Sequence, residues 1–252
     1  MRDAEYFVVM RVFLTAEWKN LLMLNYVVDP ELLRPLLPPG LELDFWNDRT
    51  YVSMVGFYFS NTRILGIKFP LHTNFEEVNL RFYVKKKTSE GWRRGVVFIR
   101  EIVPKPVIAT IAKLFYNEPY LAMPMRHTIP TFDNQLQAGV VRYEWFFRKR
   151  WNSLTAEICG KSHPLEENSE EEFIAEHYWG YTLQPKRRPT EYAVEHPRWN
   201  ILPVRNPTLD CEVSSLYGSA FEEVLRSKPA SAFLAEGSSI IVRSATSIEM
   251  LE

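Results

Sequence analysis

An alternation of apolar and polar side chains over residues 75–84, interrupted by the polar Glu76 on the otherwise apolar face, constrains the fold of this chain more than any other feature. Successive side chains of a β-strand point to opposite faces. The pattern therefore predicts a half-buried strand with one apolar face and one face that can donate, accept and carry both signs of charge. The polar face carries, in order, Glu77, Asn79, Arg81 and Tyr83.

A second strand is predicted at residues 95–103, after a turn at residues 89–91. This run is apolar on both faces, yet it contains Arg100 and Glu101. An isolated buried charge is very costly, so charges in such a strand need partners. We expect the hairpin to aim Glu77, Asn79, Arg81 and Arg100 at a shared cavity. The alternative is a structural ion pair on a sheet face, since ion pairs are more often structural than functional.

Composition indicates a β-rich protein with a sizeable core. The 252 residues are 46% hydrophobic and 14% aromatic, with a formal net charge of -1. We predict one domain over residues 1–252, no general attraction to nucleic acid or anionic membranes, and no transmembrane helix, since no apolar run approaches about 20 residues. The N-terminus has no signal-peptide pattern. A reduced, cytoplasmic protein is the simplest prediction, and pairing of Cys159 with Cys211 is left open.

Further strands and four short helices are predicted from periodicity and capping residues. The strands fall at residues 6–14, 21–28, 41–45, 51–59, 139–149, 151–159, 239–243 and 246–251. Asp29 and Pro30 start one helix, and residues 104–106 precede another. Capping-box spacing predicts helices from Ser169 to near residue 180 and from Ser219 to near residue 229. Residues 185–189 are predicted to form an exposed basic loop.

Motifs for common chemistries are missing from the sequence. It contains no glycine-rich phosphate loop, no zinc-type Cys/His cluster and no Gly-x-Ser-x-Gly elbow. We therefore predict no metal and no cofactor. His177 and His196 could each act as an acid or base, although five histidines in a chain of this length need no functional explanation.

Several segments together resemble the YqjF-like proteins, an uncharacterised bacterial family of the acetoacetate decarboxylase-like superfamily. The matching segments are residues 32–43, 75–84, 95–98, 116–123 and 176–178, with His196 and Trp199 downstream. The resemblance covers roughly residues 15–240 in order. His177 departs from the family's Glu-Arg-Tyr pattern, which would make a charge at that position dependent on pH.

This resemblance implies a closed, cone-like antiparallel β-barrel with short flanking helices and an internal pocket. In acetoacetate decarboxylases a pocket lysine forms a Schiff base with the substrate ketone, and a neighbouring lysine depresses its pKa. Tyr120 and Leu121 stand at those two positions here. Since tyrosine cannot form an imine, we predict that the chain is not a Schiff-base acetoacetate decarboxylase. Lys113 is predicted to be a solvated lysine on a helix face.

Two functions are compatible with these residues. The first is an enzyme in which Arg81 or Arg100 holds a carboxylate by a bidentate pair. Glu77 would be its general base or acid, and Tyr120 a donor to a carbonyl or enolate oxygen. The second is a non-catalytic protein that binds a small organic anion or carbonyl compound in the same pocket. The predicted ligand-binding residues are Asn79, Arg81, Tyr83, Arg100, Tyr116 and His177. Whether the chain forms a homo-oligomer is left open.

Overall fold

The computed structural model describes residues 10–116, 118–130, 138–182 and 189–248, and these residues are mostly β-sheet with a few short helices. The β-rich character predicted from the sequence is confirmed. The strands are β1 (Val12–Val28), β2 (Leu41–Leu43), β3 (Thr50–Ile64), β4 (Phe75–Thr88), β5 (Gly91–Val103), β6 (Tyr120–Ala122), β7 (Met125–Thr128), β8 (Ala138–Phe147), β9 (Arg150–Cys159), β10 (His163–Pro164), β11 (Trp179–Thr182), β12 (Thr190–Glu195), β13 (Asn200–Asp210), β14 (Ser231–Arg243) and β15 (Thr246–Ser247).

Two of the short helices begin where their capping residues predict. The helices are α1 (Pro30–Leu33), α2 (Pro106–Phe115), α3 (Glu170–Ala175), α4 (Val213–Leu216) and α5 (Glu222–Arg226), with 3-10 turns at Arg34–Leu36 and Ser219–Phe221. The Asp29 side chain accepts a hydrogen bond from the Glu31 backbone N–H and starts α1. The Ser169 hydroxyl accepts one from the Glu172 N–H at 3.1 Å and starts α3. These bonds satisfy N–H groups that a helix leaves free at its first turn.

Two helix predictions need correction. Helix α3 ends at Ala175 rather than near residue 180, because the chain enters β11 at Trp179. Ser219 does not cap an α-helix; it opens the 3-10 turn, and no side-chain cap bond is formed there. The Glu222 carboxylate instead accepts hydrogen bonds from Ser214 and Arg226.

Seven strands follow one another in the sheet in the order β12, β11, β5, β4, β3, β1 and β14. Strand β12 also pairs with β14, through Val194 with Val242 and Glu195 with Ile241, so the two ends of this path meet. The sheet continues from β14 through β13, β9 and β8 to β7. Most pairings are antiparallel, but β5 pairs in parallel with β6 and with β11. The prediction of a wholly antiparallel sheet is wrong at these two pairings. Between β5 and β6, helix α2 carries the chain back across the sheet, as a parallel connection requires.

Strand β1 is a single long strand where two were predicted. Residues 15–20 contain charged side chains that resemble a turn, yet β1 runs through them and pairs with both β3 and β14. Asn20 adopts a positive φ of 54°, and the register with β3 shifts between Lys19 and Leu22. The strand accommodates the polar stretch as a local irregularity instead of ending. Predicted residues 6–9, 185–188 and 249–251 lie outside the described part of the chain.

The two faces of β4 are both buried, and this positions the functional site. The apolar set, Val78, Leu80, Phe82 and Val84, is 0% exposed and belongs to one core cluster. The polar set faces the other way, and Glu77, Asn79 and Tyr83 are no more than 2% exposed. Since strand side chains alternate, the sequence placed this polar row on one face, and the fold then covered it.

In the described ranges no helix is long and apolar enough to cross a membrane.

Candidate active site

The polar face of β4 lines an internal pocket with a cavity volume of about 120 Å³. Glu77, Asn79 and Arg81 reach it from β4, as period two predicts. Around them the wall is largely aromatic and aliphatic. These wall residues include Phe13, Trp18, Leu21, Val55, Phe57, Phe59, Val96, Phe98, Ile108, Ile111, Trp179, Val194 and Trp199. Because this wall is mostly apolar, charges in the pocket are weakly screened, and electrostatic interactions there are strong.

Glu77 is held by two neighbouring side chains. The Tyr120 hydroxyl donates to its Oε2 at 2.9 Å, and the Asn79 amide donates to its Oε1 at 3.0 Å. Burial raises the pKa of Glu77 to about 7, although both hydrogen bonds and the Arg81 charge favour the ionised form. A carboxyl group poised near neutrality can both take and give a proton under physiological conditions.

Arg81 is the cation of this wall. It is 9% exposed, and its Nη2 donates to the Ile174 carbonyl at 3.2 Å, while its Nε has no hydrogen-bond partner. In the described part of the chain no carboxylate lies within ion-pair distance of Arg81, so Arg81 and Glu77 do not form a closed pair. A buried guanidinium with an unused donor is unfavourable unless an anion meets it.

Arg100 does not reach the pocket, and that prediction is wrong. In the β4–β5 ladder Leu80 lies opposite Arg100, but Arg81 lies opposite Phe98. This bulge turns Arg100 to the Leu80 face, where its Nε donates to the Leu216 carbonyl at 3.2 Å. Its sequence neighbour Glu101 faces the pocket instead, opposite Asn79.

Two buried glutamates in the pocket were not predicted as site residues. Glu101 and Glu118 are each 2% exposed. Burial raises the pKa of Glu101 well above its usual range, and the nearby Glu118 and Glu77 charges add to this. The pKa of Glu118 is also raised well above its usual range, chiefly by burial, although the Tyr192 hydroxyl donates to its Oε1 at 2.8 Å. The sequence signal for Glu101 was a charged residue within the apolar run 95–103. Arg100 gives the same signal, and only the register of β4 with β5 shows which of the two faces the pocket.

The predicted tyrosines take different positions. Tyr120 on β6 and Tyr116 at the end of α2 both line the pocket, and the Tyr116 hydroxyl donates to the Arg243 carbonyl at 3.0 Å. Tyr83 does not line it. The Tyr83 hydroxyl bonds to Ser53 at 2.6 Å, and its ring supports the Arg81 guanidinium from 5.6 Å. Tyr83 therefore lies outside the pocket and supports Arg81 from behind.

His177 lines the pocket, but its charge is not switched near neutral pH. Its Nε2 lies 3.3 Å from an Asp44 oxygen that also accepts from Arg94. Burial lowers the pKa of His177 to about 4 despite the favourable Asp44 contact. A charge at His177 is therefore expected only under acidic conditions, near pH 4. His196 also lines the pocket, with its ring stacked on Trp199 at 4.0 Å.

Tyr120 and Leu121, which the sequence resemblance sets at the lysine positions of acetoacetate decarboxylases, point to opposite sides of the sheet. Tyr120 reaches the pocket, while Leu121 packs against the core cluster on the other side of the sheet. None of the described pocket-lining residues is a lysine, and Lys113 is exposed on α2. Asn117 lies outside the described residues. Among the described residues, no group of three or more His, Cys, Asp or Glu side chains could hold a metal ion.

Comparison with known proteins agrees with the resemblance seen in the sequence. The profile of the DUF2071 family, described as an uncharacterised conserved protein, matches residues 15–239. The chain belongs to this family. The uncharacterised protein YqjF of Bacillus subtilis (strain 168) is 27% identical over 187 residues, which span 71% of this chain and 72% of YqjF.

Solved structures of acetoacetate decarboxylase-like proteins share this fold. An acetoacetate decarboxylase-like enzyme from Sphingomonas wittichii RW1 has a TM-score of 0.66 at 14% identity, covering 96% of this chain and 95% of its own. The enduracididine biosynthesis enzyme MppR, in complex with pyruvate, also has a TM-score of 0.66 at 14% identity, covering 96% and 92%. At this identity the likeness establishes the fold alone.

Proposed function

We propose that the pocket binds a small organic acid with a carbonyl group, such as a 2-keto acid, and that the chain catalyses proton transfer next to that carbonyl without a Schiff base. The observation that carries this proposal is Glu77, a buried carboxyl with a pKa of about 7 in the same pocket as Arg81. The pyruvate complex of MppR, a protein of the same fold, supports the ligand class.

Each residue of the polar row would have a distinct task. The unused Arg81 Nε would receive the ligand carboxylate through a charge-assisted hydrogen bond. Ionised Glu77 would take a proton from the carbon beside the carbonyl, with Asn79 holding its other oxygen. Tyr120 would release Glu77 and donate to the developing enolate oxygen.

The surrounding strands would exclude water from this reaction. We propose that the β12–β14 pairing closes the seven-strand path into a barrel around the pocket. A dry, closed site strengthens the attraction between Arg81 and a bound carboxylate and protects an enolate from unwanted protonation.

A non-catalytic binding protein is the second candidate. The predominantly aromatic and aliphatic wall supports it, as does the Tyr120 proton already engaged with Glu77. Binding sites for small molecules typically combine such a wall with a few placed polar groups.

Hydrogen–deuterium exchange separates the two functions. Pyruvate is incubated with the protein in D₂O, and loss of its methyl proton signal is followed by NMR. We expect exchange catalysed by wild type and by the Glu76→Gln variant, because Glu76 lies on the opposite face of β4 and pairs with His127. Glu77→Gln should abolish it. Saturable pyruvate binding with no wild-type exchange would assign the chain to the binding class, and no binding at all would refute both.

A further inference from the structure

Glu101 and Glu118 have no task in the proton transfer described above, although both line the pocket. In the sheet Glu101 lies between Asn79 on β4 and Tyr120 on β6. Directly opposite side chains on neighbouring strands lie about 5 Å apart, within reach of long side chains. Glu101 is therefore beside both groups that hold the Glu77 carboxylate.

A series of neighbouring polar groups in the pocket leads from these buried acids to Glu77. The Tyr192 hydroxyl donates to Glu118 Oε1 at 2.8 Å. Glu101 and Glu118 are close enough to influence each other's pKa, and Tyr120 acts on the pKa of Glu101 in the same way. Tyr120 in turn donates to Glu77 Oε2 at 2.9 Å.

The carboxyl–carboxyl contact requires a proton. Ionised carboxylates are acceptors only, so a hydrogen bond between two of them forms only if one is protonated. Glu101 Oε2 and Glu118 Oε2 are buried and have no hydrogen-bond partner among the described residues. No described lysine or arginine contributes to the stabilisation of either charge. Two adjacent carboxyls without a cation cannot both ionise near neutrality.

We propose that Glu101 and Glu118 form a proton relay that empties and refills Glu77 through the Tyr120 hydroxyl. This proposal rests on the proposed function, in which Glu77 takes a proton from the ligand. When the Tyr120 hydroxyl has turned back from the ligand to Glu77, that proton passes to Tyr120 Oη while the Tyr120 proton passes to the Glu101–Glu118 pair, so Glu77 becomes a carboxylate again. The reverse sequence returns a proton to the ligand carbon. Within the relay only O–H bonds break and form, the ligand C–H bond breaks and forms at Glu77, and no oxidation occurs.

The relay explains how a closed pocket could exchange a ligand proton. The titratable groups that face the acid pair are Glu77, Tyr120 and Tyr192. Burial and neighbouring acids hold the pKa of both tyrosines well above their usual range, so they pass protons without remaining ionised.

The test uses Glu118→Gln, which keeps an acceptor for Tyr192 and a hydrogen bond to position 101 but cannot carry a transferable proton. We expect kcat for pyruvate deuterium exchange to fall on the order of 10²-fold, the lower end of the effect of a positioned acid or base. KM should stay within about twofold, because Arg81 is untouched. The exchange rate is also measured in mixtures of H₂O and D₂O. For wild type, its dependence on the deuterium fraction of the solvent should indicate that several protons move in the transfer step, and for the variant that one proton moves. Unchanged kcat, or the same isotope dependence in both proteins, would overturn the relay.

A second measurement needs no ligand and no activity. Infrared spectra of the Glu77→Gln variant, which removes the Glu77 carboxyl from the signal, should contain at neutral pH the C=O band of a protonated carboxyl. This band should shift when either Glu101 or Glu118 is also replaced by glutamine, and it should be lost when both are replaced. Survival of the band after both replacements, or its absence from Glu77→Gln, refutes a shared proton. Failure of the proposed function is distinguishable, because wild type would then exchange no deuterium while the band remained.

Discussion

Replacing Glu77 by glutamine should stabilise the protein at alkaline pH. A glutamate whose folded pKa lies above its unfolded value binds an extra proton on folding between those two values. Stability therefore falls as pH rises through that window and stays low above it. For Glu77 the window runs from the ordinary 4.5 to about 7. At 1.36 kcal/mol per unit, ionised Glu77 destabilises the fold by about 3 kcal/mol at pH 8.

The variant should escape this penalty without losing its contacts. An amide at position 77 still accepts from Tyr120, and after the Asn79 amide turns over, the new N–H group can donate to Asn79 Oδ1, which has no partner now. We expect the free energy of unfolding at pH 8 to rise by about 2 to 3 kcal/mol, with little change at pH 4.5 and below, where folded Glu77 is protonated and the unfolded side chain is at least half protonated. The assay is urea unfolding of both proteins at several pH values between 4.5 and 8.

Glu76→Gln is a control of opposite sign on the same strand. Burial would raise the pKa of Glu76, but the hydrogen bond with His127, a backbone hydrogen bond and the His127 and Lys105 charges together outweigh it, and the net pKa is lowered. Its replacement should therefore reduce stability above pH 4.5. If Glu77→Gln left the stability at pH 8 unchanged or lowered it, the buried, poised state of Glu77 would be refuted.

Three further outcomes follow from the pocket. Arg81→Ala should abolish the thermal stabilisation given by pyruvate while the protein still folds, and Arg100→Ala should retain it because Arg100 faces away; equal shifts in both variants would rule out Arg81 as the anion anchor. The imidazole of His177 should stay neutral in NMR titrations down to about pH 5, since burial lowers its pKa to about 4; charging between pH 6 and pH 7 would contradict its placement. Borohydride treatment with acetoacetate should leave the intact mass unchanged, because tyrosine cannot form an imine; a stoichiometric lysine adduct would show that imine chemistry operates.

The sequence by itself determined the local features of this protein. Alternation over residues 75–84 put Glu77, Asn79 and Arg81 on one face of β4, because side chains in a strand alternate whatever surrounds them. Asp29 and Ser169 marked two helix starts, because a cap bond depends only on residues within one turn. The family resemblance correctly indicated the decarboxylase-like fold.

Only the tertiary structure decided which charged groups meet. The bulge in β5 exchanged Arg100 for Glu101 at the pocket, and a one-residue shift of register moves a side chain to the other face. Glu118 and Tyr192 are 74 positions apart in sequence, and their contact arises where β12 and the segment before β6 meet. The pKa values of Glu77 and His177 follow from the same cause, since burial depends on what the rest of the chain packs around a side chain.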